Sequence, residues 1–266
     1  MTAGIPPPIP AVFVDTGLEY PEIREFVKTK ENVVWLKPEM NFRKVIEIYG
    51  YPLISKEVAK RLVEYNNAKL KNKLEQSLAY QEFNGIRKAS CGKSCYNKQK
   101  WRFLIDSPYK IDYRCCDIMK KKPSKQFEKE THRKPFLGTM TIESRARKTA
   151  WLKHGCNAFE SDRPTSCPLS FWTEQDILEY IAKHNIPFAS VYGEIVQNNK
   201  GKYSTTGCQR TGCIFCGYGA HLEKEPNRFQ RLKVTHPKLW NYCMKPWDEG
   251  GLGMREVLEY INVKVD

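Results

Sequence analysis

The chain has 266 residues, 41% of them hydrophobic and with six Trp, which is enough to bury a core and excludes a disordered protein. No apolar run approaches the roughly 20 residues that span a bilayer, and the N-terminus lacks the features of a signal peptide, so we expect a cytoplasmic protein with no membrane partner. The net charge of +14, much of it between Lys69 and Lys134, favours nucleic acid or a phosphate-rich nucleotide as partner, or else a solvated basic face.

The first segments alternate between strand and helix patterns. Ala11 to Val14 is a continuous apolar run typical of a strand buried in a parallel sheet. It ends in the turn Asp15 to Gly17, after which Pro21 suits the first position of a helix. Val33 to Leu36 has the pattern of the next strand.

A long helix is predicted after the second strand. Ser55 can cap it, and an apolar stripe from Val58 to Tyr65 could extend as far as Leu78. Residues 66–100 are polar and rich in lysine around two cysteines. We interpret them as an exposed helical or loop insertion.

The later segments continue the alternation. Phe136 to Ile142 is predicted as a third strand that ends at Glu143 to Arg145, and Thr173 caps a helix that stops near Asn185. Alternating strands and helices indicate an α/β fold with a mainly parallel sheet. Ligands of such sheets bind beyond the carboxyl ends of the strands, where Asp15 to Gly17 and Glu143 to Arg145 fall.

The segment from Thr205 to His221 carries the strongest chemical signal. Its C-x-x-C pair, Cys213 and Cys216, can reach one centre from a tight turn, and the surrounding glycines let the backbone wrap closely. An iron–sulfur cluster, zinc and free redox thiols all fit such a pair. A zinc knuckle would need its fourth ligand at Pro226, so we favour a cluster, with zinc as the alternative.

Five segments occur in an order that is found in one known family. They are VFVDTGLEYPEIREFV (Val12 to Val27), RCCDIMKKKP (Arg114 to Pro123), GTMTIESRARK (Gly138 to Lys148), PLSFWTEQDILEYIAKHNIPF (Pro168 to Phe188) and RTGCIFCGYG (Arg210 to Gly219). Together they resemble the phosphoadenosine phosphosulfate (PAPS) reductase family, which belongs to the adenine nucleotide α-hydrolase-like folds of the N-type ATP pyrophosphatases. The resemblance covers about Ile9 to Tyr242.

The resemblance also implies a domain organisation. A doubly wound, mainly parallel α/β domain would occupy residues 9–200, with a basic insertion at about 66–110. A Cys-rich segment, residues 201–266, would pack on the same domain.

The resemblance implies an adenine nucleotide or sulfonucleotide site, with ATP or PAPS as the possible substrate. Residues of the D-T-G turn would line the nucleotide pocket, and residues of the E-S-x-x-R segment would lie on the phosphate or sulfate side. These candidates are Asp15, Thr16, Gly17, Glu143, Ser144, Arg145 and Arg147. A guanidinium can fork onto phosphate or sulfate oxygens, although the two arginines could instead form a basic strand end.

The resemblance further implies a 4Fe–4S centre. In cluster-bearing members, a C-C pair and a later C-x-x-C bind the cluster, which matches Cys115, Cys116, Cys213 and Cys216. Related sulfurtransferases draw their ligands from cysteines close to the C-x-x-C, which makes Cys208 a competitor of Cys115. Adjacent cysteines are awkward joint ligands of one cluster, so Cys208 is a serious competitor.

Two departures from the family pattern affect the functional prediction. The phosphate loop S-G-G-K-D-S is not found, and Pro6 to Pro8 cannot supply its N–H donors or those of a strand. We therefore expect an N-terminally truncated member with weak nucleotide binding. The family's C-terminal E-C-G-x-H motif is also missing, since the last cysteine is Cys243, which disfavours a sulfite-releasing reductase.

The expected function is sulfur or adenylate chemistry with an iron–sulfur centre and a redox partner. One alternative is an adenylating sulfurtransferase that acts on nucleic acid bound by the basic surface. Another is a degenerate, non-catalytic module that keeps the metal site. The sequence assigns no catalytic residue, sulfur donor or sulfur acceptor.

Overall fold

The structure is a computed structural model that describes residues 9–90 and 92–266. The expectation about Pro6 to Pro8, and Cys91 of the predicted insertion, lie outside the described residues. Across the two described ranges, no helix is long and apolar enough to cross a membrane.

Helices and short strands alternate along the chain. The strands are β1 (Ala11–Val14), β2 (Val33–Leu36), β3 (Leu53–Ile54), β4 (Lys88–Ala89), β5 (Gly92–Lys93), β6 (Asn157–Ala158), β7 (Thr165–Ser166), β8 (Ile195–Gln197), β9 (Tyr203–Thr205) and β10 (Gly217–Tyr218). The helices are α1 (Pro21–Lys28), α2 (Phe42–Ile48), α3 (Lys56–Leu70), α4 (Leu78–Asn84), α5 (Lys122–Thr131), α6 (Arg145–His154), α7 (Glu174–Lys183), α8 (Arg228–Thr235), α9 (Pro237–Met244) and α10 (Met254–Tyr260). A π-helical turn covers Asp117–Lys121, and 3₁₀ helices cover Gln99–Asp106, Thr141–Glu143, Ser190–Tyr192 and Ala220–Leu222.

Within the described residues, the strands form five two-stranded pairs. β1 pairs with β2 and β3 with β10 in parallel, whereas β4–β5, β6–β7 and β8–β9 are antiparallel. The parallel pairs and the interspersed helices agree with the predicted α/β class. A continuous doubly wound sheet stays a prediction.

The chain divides into two compact units. The first unit comprises the described part of Met1–Asp15 with Glu19–Pro38 and Lys120–Gly212, and the second comprises Thr16–Leu18, Glu39–Met119 and Cys213–Asp266. The domain boundary predicted near residue 200 stays a prediction.

In the first unit, β1 and β2 form at the apolar runs that the sequence predicted as strands, and they pair in parallel. The predicted burial of Ala11 to Val14 is wrong, because every residue of β1 is exposed or half-buried and β1 pairs with β2 alone among the described strands. Ala11 lies opposite Val33, and the N–H of Asp15 donates to the carbonyl of Leu36 at 2.8 Å, so the ladder continues past the end of β1. Helix α7 begins after Thr173, whose hydroxyl accepts the N–H of the third helical residue, as the sequence predicted.

In the second unit, helix α3 also agrees with the prediction. The hydroxyl of Ser55 accepts the N–H of Val58 at 3.1 Å and caps the helix, and the stripe of Val58, Leu62 and Tyr65 is buried. The core of this unit combines strand and helix residues that are essentially inaccessible to solvent, namely Leu53, Ile54, Phe83, Phe229, Leu232, Leu252, Met254, Val257 and Leu258.

The predicted third strand, Phe136 to Ile142, is wrong. Only Phe136 makes a bridge, to Ser166, and the chain then turns into the 3₁₀ helix Thr141–Glu143. The cause is local, because the Glu143 carboxylate accepts the N–H of Met140 at 3.0 Å and so completes a cap instead of leaving that N–H for a strand partner.

The prediction for residues 66–100 is only partly right. Helix α3 ends at Leu70, and Leu78 begins the separate helix α4. Helix α4 buries Ala79, Glu82 and Phe83, so part of the predicted exposed insertion belongs to the core of the second unit.

Candidate functional site

The adjacent thiols Cys115 and Cys116 lie in the second unit, just before the π-helical turn. The buried carboxylate of Asp112 accepts the N–H of Arg114 at 2.7 Å and also binds the Arg114 guanidinium. That guanidinium lies 4.4 Å from the ring centre of Tyr49. These contacts fix the backbone immediately before Cys115, whose thiol is buried.

The second pair of thiols, Cys213 and Cys216, lies on a tight turn of the same unit. The N–H of Cys216 donates to the carbonyl of Cys213 at 3.1 Å, and the N–H of Ile214 donates to the carbonyl of Leu18 at 2.8 Å. Ile214 and Phe215, between the cysteines, are both buried. The apolar pair therefore anchors the turn while both cysteines remain partly accessible.

Strand β10 fixes the exit of this turn. Gly217 lies opposite Leu53 in a parallel register. A Cβ atom at Gly217 would come within 2.8 Å of a methyl carbon of Leu53 and of the carbonyl oxygen of Pro52. Only glycine therefore lets the backbone that follows Cys216 approach β3 so closely.

The thiols of Cys115, Cys116, Cys213 and Cys216 interact electrostatically. The sulfurs of Cys115 and Cys116 are 3.9 Å apart. The hydrogen bond between them, followed by burial and by the charges of the other sulfurs, raises the pKa of the Cys115 thiol. Burial raises the pKa of Cys216 to about 11, although the N–H that Tyr218 donates to its sulfur acts in the opposite direction. Without a bound cation, Cys115 and Cys216 therefore resist ionisation.

Four cysteine thiols form a donor set that fits the ligand chemistry of a 4Fe–4S cluster. A metal centre deprotonates the thiols that coordinate it, so its positive charge would remove the repulsion among the four sulfurs. In the described ranges, no group of three or more His, Cys, Asp or Glu side chains has the geometry to hold one metal ion. Each iron of a 4Fe–4S cluster takes its own thiolate, so the four ligands need not converge on one point as they must around zinc.

The fifth predicted ligand, Cys208, lies in the first unit. Its N–H donates to the carbonyl of Val191 at 2.9 Å, and its own carbonyl accepts the hydroxyl of Thr205 at 3.3 Å. Four of the five predicted ligands, Cys115, Cys116, Cys213 and Cys216, lie in the second unit.

The predicted nucleotide turn follows β1. The Asp15 carboxylate, in the first unit, pairs with the Arg24 guanidinium at 2.8 Å. The buried hydroxyl of Thr16, in the second unit, accepts the N–H of Leu18 at 3.2 Å. Gly17 has a φ of +73°, a conformation that favours glycine.

The E-S-x-x-R segment begins helix α6 in the first unit. Ser144 is the N-cap and accepts the N–H of Arg147 at 3.2 Å, whereas Arg145 is an exposed first-turn residue. The Arg147 guanidinium pairs with the Glu143 carboxylate. A cavity of about 110 Å³ is lined by Arg147 together with Thr139, Met140, Thr141, Ala150, Trp151, His154, Gly155, Cys156, Ala158, Thr165, Cys167 and Ser170.

Two residues beside the thiols were missed in the sequence analysis. Tyr218 donates its N–H to the Cys216 sulfur, and its hydroxyl donates to the carbonyl of Asp112 at 3.1 Å. Arg228 donates to the carbonyl of Cys216 at 3.1 Å and pairs with Glu223. The sequence offered one signal for Tyr218, which is its position directly after the C-x-x-C-G motif. A backbone N–H so close to a cysteine ligand can donate a hydrogen bond to its sulfur.

Comparison with known proteins gives one match. No curated protein and no solved structure matches the chain. The family model described as the phosphoadenosine phosphosulfate reductase domain matches residues 1–217. Because this match spans most of the chain, the protein belongs to the phosphoadenosine phosphosulfate reductase domain family, whose chemistry concerns sulfonucleotides.

Proposed function

We propose that the protein is an iron–sulfur member of its family, in which Cys115, Cys116, Cys213 and Cys216 hold a 4Fe–4S cluster. The observation that carries the proposal is the grouping of these four thiols in one unit, where the charges of the other three contribute to the raised pKa of Cys115. When bound, the cluster would supply a redox-active or electrostatic centre.

The residues around the thiols have separate roles in this proposal. Burial of Cys115 keeps solvent from one side of the site. The N–H of Tyr218 stabilises negative charge on the Cys216 sulfur, and Arg228 holds the carbonyl of the same cysteine. Hydrogen bonds to cluster sulfurs raise reduction potentials, so this N–H would also tune the redox behaviour of the site.

Serine variants test the ligand assignment. After anaerobic reconstitution, Cys115→Ser, Cys116→Ser, Cys213→Ser and Cys216→Ser should each lose most of the visible absorbance and iron. Cys208→Ser should keep both, and so should the control Cys95→Ser, whose thiol is exposed. A cluster that needs Cys208 but tolerates loss of Cys115 or Cys116 would contradict the assignment.

The proposed substrate is an adenine nucleotide or sulfonucleotide, with Arg147 as a ligand of its sulfate or phosphate. The support is the position of Arg147 in the wall of a cavity, with its guanidinium oriented by Glu143. The Glu143 carboxylate already occupies some of the N–H donors of the Arg147 guanidinium, so a bound anion must use the remaining donors. We propose that Ser144 and Arg145 bind the same anion group from the start of α6, and that Asp15, Thr16 and Gly17 contact the nucleotide.

Calorimetry with PAPS tests the role of Arg147. Loss of a charge-assisted hydrogen bond costs about 1.5–3 kcal/mol, which corresponds to at least a roughly tenfold weaker affinity in Arg147→Ala. Arg163→Ala is a matched control, because Arg163 lies in the same unit, is 43% exposed like Arg147, and also pairs with a glutamate. Equal affinities of the two variants would refute the assignment of Arg147.

Helix α6 favours a second candidate function, the adenylating sulfurtransferase that acts on nucleic acid. None of its residues is buried, and it carries Arg145, Arg147, Lys148 and Lys153. Such an exposed basic helix can neutralise backbone phosphates. Fluorescence anisotropy with tRNA and with duplex DNA at several salt concentrations tests this candidate. Binding that weakens steeply with salt, and that falls further when Lys148 and Lys153 become alanine, would favour it over small-molecule chemistry.

A further inference from the structure

Two cysteines outside the predicted ligand set lie opposite each other on the β6–β7 hairpin. The register pairs Asn157 with Ser166, and one further residue along the strands brings Cys156 opposite Cys167. The N–H of Cys167 donates to the carbonyl of Cys156 at 2.7 Å. One backbone hydrogen bond therefore joins the two cysteines at the end of the β6–β7 ladder.

Their side chains share one face of the hairpin. Side chains alternate between faces along a strand, so Cys156, Ala158, Thr165 and Cys167 lie on the same side. All four line the cavity of about 110 Å³ described above. In the neighbouring pair, the hydroxyl of Ser166 donates a hydrogen bond to the side-chain oxygen of Asn157 at 2.7 Å. Two thiols thus border one small cavity from facing strands.

The backbone geometry at this position permits a disulfide. Cα atoms of directly opposed residues in an antiparallel pair are about 4.5–5.5 Å apart, which is within the range of about 4.4–6.8 Å that disulfides require. Both cysteines are partly accessible, so a small reagent can reach them. The hydroxyl of Thr139 donates a hydrogen bond to the Cys167 sulfur at 3.7 Å.

We propose that Cys156 and Cys167 form a redox-active dithiol that small disulfides oxidise reversibly. The Cys167 thiolate attacks one sulfur of the small disulfide, which forms a mixed disulfide and releases one small thiol. Cys156 then attacks the sulfur of Cys167, forms the cross-strand disulfide and releases the second small thiol. Two electrons and two protons pass from the protein to the reagent, and a dithiol reductant reverses the reaction.

This site is separate from the proposed cluster ligands and does not depend on the proposed function. It borders the same cavity as Arg147, so its oxidation would place a covalent bridge in the cavity wall. The bridge would also fix the loop between β6 and β7, because it closes the chain from Cys156 to Cys167.

The test is anaerobic incubation of the whole protein with glutathione disulfide, followed by alkylation and peptide mapping by mass spectrometry. In the wild type, a disulfide should join Cys156 and Cys167, and the linked product should weigh two hydrogens less than the reduced form. In Cys156→Ser, glutathione should remain on Cys167 at a level at least tenfold higher than in the wild type, because the resolving thiol is gone. Dithiothreitol should reverse both products.

Cys95→Ser serves as the control and should leave the Cys156–Cys167 link unchanged, since Cys95 is an exposed thiol of the other unit. Stable glutathione on Cys167 of the wild type without the internal link would overturn the proposal. So would a wild-type map in which both thiols remain unreacted while Cys95 is fully modified.

Discussion

Replacing Glu82 with glutamine should destabilise the second unit more than any other single removal of charge there. Glu82 is 0% exposed, and its carboxylate accepts hydrogen bonds from Arg61 at 2.9 Å, from Lys98 at 2.7 Å and from Arg87. Lys98 is itself only 6% exposed, so its positive charge is shielded little by water and is balanced mainly by the Glu82 carboxylate. The contacts join helix α4 to helix α3, which carries Arg61.

The size of the effect follows from the charges that remain. Glu82→Gln keeps the shape of the side chain but leaves Lys98 with Glu57, whose side chain is 58% exposed. Breaking a buried ion pair by removing one partner costs about 3–5 kcal/mol, because the other charge stays buried without compensation. Such a loss is a large part of the roughly 5–15 kcal/mol by which domains are stable.

Urea denaturation of the wild type and of two variants tests this expectation. The control is Glu64→Gln, since Glu64 also pairs with Arg61 but its side chain is 36% exposed. Exposed pairs contribute about 0–1 kcal/mol, so the control should lie close to the wild type. Similar losses in both variants, or a loss below about 1 kcal/mol in Glu82→Gln, would refute the reasoning.

The pH dependence gives a second result for the same variant. Burial alone raises the pKa of Glu82, but the hydrogen bond and charge of Lys98, together with Arg61 and Arg87, lower it overall. Because the folded-state pKa is depressed, the stabilisation is complete above the ordinary value of 4.5 and is lost as the pH falls through the folded value. The difference in unfolding free energy between wild type and Glu82→Gln should therefore shrink in acid.

Two further variants test the packing of the second unit. Gly217→Ala should lower the free energy of unfolding by about 1–3 kcal/mol in urea denaturation, because the added Cβ would overlap Leu53. The control Gly212→Ala should change the stability little, since its Cβ would meet no atom within 4 Å. Equal stabilities of the two variants would contradict the close approach of Gly217 to β3. Burial raises the pKa of Tyr51 to about 12, so its contribution to stability is complete below pH 10 and is lost as the pH rises through about 12. The difference in unfolding free energy between wild type and Tyr51→Phe should decline over that interval, and a constant difference would argue against the shift.

The sequence predicted features that depend on local chemistry. The Ser55 cap, the α3 stripe, the strands β1 and β2 and the tight Cys213–Cys216 turn each follow from residues close together in the chain. A cap or an apolar stripe needs no knowledge of distant segments. The α/β class could therefore be predicted, and so could the residue types at the candidate site.

Features that depend on distant contacts could not be predicted in this way. Lys98 belongs to a stretch that the sequence analysis interpreted as exposed, yet it is buried against Glu82 and Glu57. Its partners are far along the chain, so only the fold determines that it is not a surface cation. The apolar run after Phe136 similarly lacks a strand partner beyond one bridge, which periodicity alone does not reveal.

The metal and sulfide content of anaerobically purified protein tests the central claim most directly. The account predicts about four irons and about four acid-labile sulfides per chain, and loss of both in Cys216→Ser. The account also predicts little bound zinc, because it assigns the four thiols to the irons of a cluster. One zinc per chain without iron, or iron that is unaffected by Cys216→Ser, would contradict the account.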